Sequence, residues 1–254
     1  MRYSLHTYSL SLLLFVLFLG CDSDKGLNCF QATGDLVLEE FTVPPFSRIT
    51  VFERTQLIVQ QGPEQRVMVE TGENLLNDIE LNVANGQLSI INNNGCNLVR
   101  DYGVTRVFVT APNITEIRNS SGLMVEGRGT LAFPTLTLLS EDGAEEDEFH
   151  IDGDFQMRLD VDELNVVANG LSNFFLSGSA TVANFRLYAG DCRVEARDLV
   201  IDYINLFHRS SQDMIVNPRR SIVGDIVSVG DVISVNRPPQ VDVRQPYRGR
   251  LIFE

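Results

Sequence analysis

Among the side chains able to do chemistry, the carboxylates are the most conspicuous. Asp152, Asp154, Asp160, Asp162 and Glu163 fall close together, and Asp191, Glu195 and Asp198 follow a little further on. Two carboxyl groups about 5–9 Å apart can hydrolyse a glycosidic bond, one as acid and the other as base or nucleophile. The chain carries 34 acidic residues, however, so such proximity arises without catalysis, and a solvated face is the preferred reading. Residues 141–148, Glu-Asp-Gly-Ala-Glu-Glu-Asp-Glu, offer the oxygen ligands that Ca2+ takes. They lack the Asp-x-Asp-x-Asp-Gly order of a Ca2+ loop, which favours a solvated loop. Beyond residue 20 the histidines are His150 and His208. His208 lies near Ser210, Ser211 and Asp213, the residue types of a hydrolase triad, but no Gly-x-Ser-x-Gly elbow exists to expose a serine. No catalytic residue, metal site or cofactor is expected.

The cysteines carry a different chemistry. Arg2 is followed by the apolar run Leu10–Leu19, then by Gly20 and Cys21, the layout of an export signal. Such a run is too short for a membrane span, which needs about 20 apolar residues. Phe18-Leu-Gly-Cys21 is similar to a lipobox, with Phe18 where Leu is usual. Cys21 is therefore the expected lipidation site, and its acyl chains would hold the protein at a membrane at about 0.8 kcal/mol per buried methylene. Asp22-Ser-Asp-Lys25 reads equally as a signal for the cell surface or as a plain tether. Cys29 and Cys96 sit in polar, turn-like contexts and form the candidate disulfide, which an exported compartment permits. Cys192, in Asp-Cys-Arg-Val-Glu, reads as an inward strand residue.

The formal charge of −14 becomes −15 once residues 1–20, which include Arg2, are removed. That balance opposes binding to nucleic acid. The elements that must position all these groups are short and β-rich. Runs such as Arg48–Phe52, Gln56–Gln60, Arg66–Glu70, Ile79–Val83, Gln87–Ile91 and Arg106–Thr110 are bounded by Gly, Asn, Asp or Pro. Asn85-Gly86 between two of them marks a hairpin or another tight turn. Turn-like sites at 122, 143, 170, 190, 210 and 230 are spaced by 21, 27, 20, 20 and 20 residues. Strand triplets precede them (Leu136–Leu138, Leu164–Val166, Phe185–Leu187, Ile204–Leu206, Ile226–Ser228). A second set follows them (Phe149–Ile151, Phe174–Leu176, Cys192–Val194, Met214–Val216, Val232–Ser234). A period near 20 with several short strands indicates an all-β chain coiled as a β-solenoid. An antiparallel β-sandwich is the alternative.

Phe46–Phe52, Leu57–Gly62, Val67–Glu70, Asn74–Leu76, Asn85–Ile90, Val107–Pro112, Asn119–Gly122 and Leu176–Ser179 together resemble the "putative auto-transporter adhesin, head GIN domain" family of envelope lipoproteins. Ala189–Cys192 and Phe207–Ser211 depart from its Ser-Gly turns. The resemblance implies a right-handed parallel β-helix and an adhesive role, and it supplies no catalytic or ligand-binding residue. The expected organisation is a signal peptide at 1–20, a lipidated tether at 21–39, the β-helix domain at 40–235 and a C-terminal cap or tail at 236–254. The basic, proline-rich tail reads as a cap for the open end, or as a contact for an acidic glycan or partner. The expected function is non-catalytic binding or adhesion to a glycan or protein, from a lipid anchor at the outer membrane and exposed at the surface. A periplasm-facing structural or assembly lipoprotein is the alternative, ahead of a carbohydrate-active enzyme.

Overall fold

The computed structural model describes residues 32–95, 105–143 and 148–254. Their alternating apolar and polar positions fold almost wholly into strands, with one 3-10 turn at Leu76–Asp78. Ten short strands come first: β1 (Leu36–Phe41), β2 (Arg48–Phe52), β3 (Thr55–Gln61), β4 (Arg66–Gly72), β5 (Ile79–Ala84), β6 (Gln87–Asn92), β7 (Thr105–Ala111), β8 (Glu116–Ser120), β9 (Val125–Leu131) and β10 (Thr135–Ser140). Four long ones follow: β11 (Phe155–Ala168), β12 (Asn173–Leu187), β13 (Arg193–His208) and β14 (Met214–Ile226). The chain closes with β15 (Val232–Ser234), β16 (Gln240–Arg244) and β17 (Leu251–Phe253).

All of them join one mixed sheet. It curls into two faces around a single apolar interior. One face runs β5, β6, β2, β8, β10 and then the second halves of β11 to β14, ending on β16. The other runs β1, β4, β7, β3, β9 and the first halves of β11 to β14, ending on β15 and β17. The long strands pass from one face to the other at a corner, where two consecutive residues point outward: Asp162–Glu163, Thr181–Val182, Asp202–Tyr203 and Arg219–Arg220. Breaking the two-residue alternation there turns the chain while keeping Leu164, Ala183, Ile204 and Ile222 inside.

Register places these four in one column with Leu136. Beside it run Leu138, Val166, Phe185 and Leu206. On the other face Val125, Phe155, Phe174, Val194, Met214 and Val232 stack, the two Phe rings 4.9 Å apart and nearly parallel. Burial of each such side chain contributes roughly 1.5–3 kcal/mol. Gly224 faces Leu206 with φ +135°, and a Cβ there would lie 1.9 Å from the Leu206 carbonyl oxygen.

Three expectations need correction. The sheet is mixed: β1–β4, β4–β7 and β5–β6 are antiparallel, whereas the remaining pairs are parallel. The Asn85-Gly86 connection is too short for a parallel crossover, so β5 and β6 form a hairpin with both turn residues at positive φ. Phe149–Ile151 is no strand; Phe155 occupies that place in the column opposite Phe174. Finally, register slips: Ala183 rather than Phe185 pairs between Leu164 and Ile204, Ile222 rather than Ile226 follows, and Val194 rather than Cys192 pairs between Phe174 and Met214. The tail at 236–254 continues the ladder, since β16 pairs with β14 and β17 with β15.

Candidate functional site

The carboxylates singled out from sequence are dispersed by the fold. Asp160 and Asp162 line a shallow groove of about 370 Å3 at the corner, with Asp202, Arg219 and Ser179. There Asp160 accepts a hydrogen bond from the Ser179 hydroxyl at 2.7 Å, and Asp202 is held by Arg220 at 3.1 Å and Arg219 at 3.7 Å. Glu163 accepts from the amides of Asn165 and Asn184, which continue through Asn205 as a ladder of side-chain bonds of 2.8–2.9 Å. Asp154 accepts from the backbone N–H of Asn173, so it joins one turn to the next. Asp191 accepts from Ser211 at the turn, and Glu195 pairs with Arg193 at the start of β13. Asp152 lies beside Gly122 at a turn, and Asp198 sits at a bulge of β13. No cluster of metal-ligating side chains forms among the described residues.

His208 is fully buried in the interior column between Leu187 and Ile226. Neither ring nitrogen reaches a partner in good hydrogen-bond geometry, although the backbone of Gln212 and Gly230 lies close. Burial lowers its pKa to about 4, against the opposing charges of Asp213 and Asp231. Ser210, which a triad would need, donates instead to the carbonyl of Cys192. His150 is exposed and bonds Glu53 at 2.9 Å. Cys192 is buried and free, with its thiol pushed up to about 11 because burial disfavours the thiolate. Cys21, Cys29 and Cys96 lie outside the described residues, as does the middle of the acidic run 141–148.

A different surface gathers what sequence reasoning did not single out. In β3, β4 and β7 the same pattern recurs, polar–apolar–apolar–apolar–polar, as Gln56–Gln60, Arg66–Glu70 and Arg106–Thr110. Leu57, Val59, Val67, Val69, Val107 and Val109 point inward, so alternation sends the central residue of each run outward. Register sets Met68 opposite Phe108 and Phe108 opposite Ile58; Ile58 is covered by its neighbours, Met68 and Phe108 are half-buried, and β1 adds the exposed Leu38. The result is an apolar strip across four strands, over a groove of about 410 Å3.

Charge frames the strip. Arg66 pairs with Glu40 at 2.7 Å, holding that carboxyl below its ordinary range, and Arg106 pairs with Glu70 at 3.2 Å. Arg128 lies 5.3 Å over the Phe108 ring, with no carboxylate in salt-bridge range among the described residues. In a chain this acidic, it offers an unneutralised guanidinium beside a partly exposed apolar strip, a combination suited to recognition. The signal in the sequence was the apolar centre of each run, where a half-solvated strand would place a polar residue.

Residues 45–238 match the family described as "Putative auto-transporter adhesin, head GIN domain". The chain belongs to this family. The head GIN segment contains Ile58, Met68, Phe108 and Arg128, whereas Leu38 precedes it and β16 and β17 follow it. No curated protein matches the sequence. Among solved structures, the chain is similar to a putative adhesin from Bacteroides fragilis, with TM-score 0.76 and 17 % identity over 87 % of this chain and 97 % of that one. A putative adhesin from Parabacteroides merdae gives TM-score 0.61 at 14 % identity, over 87 % and 97 %. A protein from Parabacteroides distasonis described as a putative lipid binding protein gives 0.59 at 13 %, over 86 % and 97 %. At these identities the likeness concerns the fold.

Proposed function

We propose that the chain is an exported envelope lipoprotein, processed after residue 20 and acylated on Cys21. Its ladder is a right-handed β-helix, preceded by the antiparallel strands of its N-terminal part, and it serves as a non-catalytic binding or adhesion module for a glycan or protein. The observation that carries the reading is the strip of exposed Leu38 and half-buried Met68 and Phe108, backed by the buried Ile58, with Arg128 over its aromatic ring. A sheet face with an aromatic anchor and a free guanidinium beside a shallow groove suits an extended contact more than a buried small molecule. The family description supports adhesion. Binding rather than catalysis is supported by the structural partners of Asp154, Asp160, Glu163, Asp191 and Glu195, and by the dry surroundings of His208.

The test compares wild type with the double variant Phe108→Ser, Arg128→Ser on glycan arrays and immobilised proteins, alongside protease shaving of intact cells. Both proteins are expected to fold alike, with the variant losing at least about tenfold in affinity for whatever the wild type captures. Equal binding by the variant moves the contact elsewhere. Digestion only after the outer membrane is broken overturns surface exposure and leaves the periplasm-facing structural role.

A further inference from the structure

Among the described residues, the two ends of the ladder are open and unlike. At the C-terminal end, β16 pairs only with β14 and β17 only with β15 among the described strands, so each presents an unpaired edge. The interior columns end there without a covering coil: Val241, in the column of Ile222, is 38 % exposed, and Val243 and Leu251 are partly buried. At the N-terminal end, among the described strands, β1 pairs only with β4 and β5 only with β6, and Phe41, Leu81 and Val83 close the core while only partly buried. Repeat stacks normally carry polar caps at such ends, because open strand edges and uncovered core are prone to association.

The charges of the two ends are opposite. Residues 32–47 and 73–84, which build the N-terminal end, hold Asp35, Glu39, Glu40, Glu73, Asp78 and Glu80 and no Lys or Arg. Residues 236–254 hold four Arg against Asp242 and Glu254, in a chain of net charge −14. Arg237 lies on Phe253 at 4.7 Å, Arg248 lies 5.7 Å over Tyr247, and Arg250 bonds the carbonyls of Tyr247 and Gly249. Among the described residues, none of the three has a carboxylate partner within salt-bridge distance.

We propose that the C-terminal end of one copy docks on the N-terminal end of another, so that the chain assembles head to tail. Strand direction fits. Two antiparallel steps, β1 to β4 and β4 to β7, return β1 to the direction of the parallel ladder, so β17 meets it in parallel. One antiparallel step leaves β5 reversed, so β16 meets it antiparallel. The contact extends both faces, covers Val241, Val243 and Leu251 with Phe41, Leu81 and Val83, and sets the arginines against the acidic end. Because the two surfaces differ, the association is heterologous and open-ended rather than a closed two-fold dimer.

The test uses the full chain in non-ionic detergent with micelles in large excess, followed by sedimentation velocity across about two decades of concentration at low and high salt. Wild type is expected to grow in mass with concentration and to shrink with salt. Glu39→Arg with Glu80→Arg, or Arg237→Glu with Arg248→Glu, is expected to weaken association at least about tenfold with an unchanged circular dichroism melt. Mixing the two variants restores association, because each then supplies the charge the other lacks. Should either pair melt early, the single reversals Glu39→Arg and Arg248→Glu replace it. A wild type that stays monomeric throughout overturns the proposal. So does a one-end variant that associates like wild type, or a mixture of the two variants that fails to recover.

Discussion

Acidification should destabilise this fold through a single buried imidazole. His208 sits at zero exposure in the column of Leu187 and Ile226, and burial lowers its pKa to about 4. In the unfolded chain a histidine titrates near 6.5. The folded pKa is the lower one, so between about pH 6.5 and 4 the unfolded state binds more protons and stability falls with pH. Above about 6.5 the contribution is fully present; below about 4 this group takes no more away. A gap of about 2.5 units at 1.36 kcal/mol each corresponds to roughly 3 kcal/mol. Carboxylates also titrate in this range, so the decisive quantity is the difference between wild type and His208→Leu. Urea unfolding followed by circular dichroism at steps from about pH 7 to 4 measures both. Wild type should lose about 3 kcal/mol more than the variant over that interval. At neutral pH the variant should match or exceed wild type, because two poorly satisfied ring nitrogens are replaced by apolar surface. Parallel profiles, or a wild type that gains on acidification relative to the variant, would refute the assignment of a dry, neutral imidazole.

Other substitutions probe the ladder. Gly224→Ala should cost about 2–3 kcal/mol in chemical denaturation, because φ +135° and the Leu206 carbonyl 1.9 Å from the new Cβ leave it no room; a loss below about 0.5 kcal/mol counts against that register. Asn184→Ala should cost about 1 kcal/mol by breaking the Asn165–Asn184–Asn205 ladder. Asn184→Asp should cost more, since a carboxylate cannot donate to Glu163, and a reversed order would refute the bonding direction. With Cys21, Cys29 and Cys96 changed to Ser, Cys192 should label with a thiol reagent only as the protein unfolds. Its thiol is buried and titrates at about 11, so rapid labelling under native conditions would place it elsewhere.

Strand identity was legible because alternation of apolar and polar residues needs no tertiary partner. Arg48–Phe52 and Gln87–Ile91 emerged as strands, and the recurrence near 20 residues pointed to stacking of equivalent strands. Register was not legible. Side chains repeat every two residues, so sliding Phe185 into the place of Ala183 leaves every apolar residue on the inner face and the pattern unchanged. The steps along the column Leu136, Leu164, Ala183, Ile204 and Ile222 are uneven because bulges and corners add or remove residues. Pairing direction in the N-terminal part was hidden for a related reason: an alternating strand can pair either way, and loop length together with the neighbours decides.

The candidate site divides along the same line. The sequence displays its carboxylates, but only the fold shows Asp154 joining turns, Asp160 at the corner and Asp191 at another turn, too dispersed to act as one centre. It displays His208 beside serines, yet the turn of the chain puts the ring inside and those hydroxyls on backbone carbonyls or Asp191. Composition and alternation by themselves determined an acidic, all-β chain of stacked strands; the head GIN family entered through the resemblance of particular segments. Tertiary structure decided which outward residues meet. Ile58, Met68 and Phe108 become neighbours because β4 and β7 pair antiparallel while β7 and β3 pair parallel. Those long-range backbone hydrogen bonds are invisible to any local pattern.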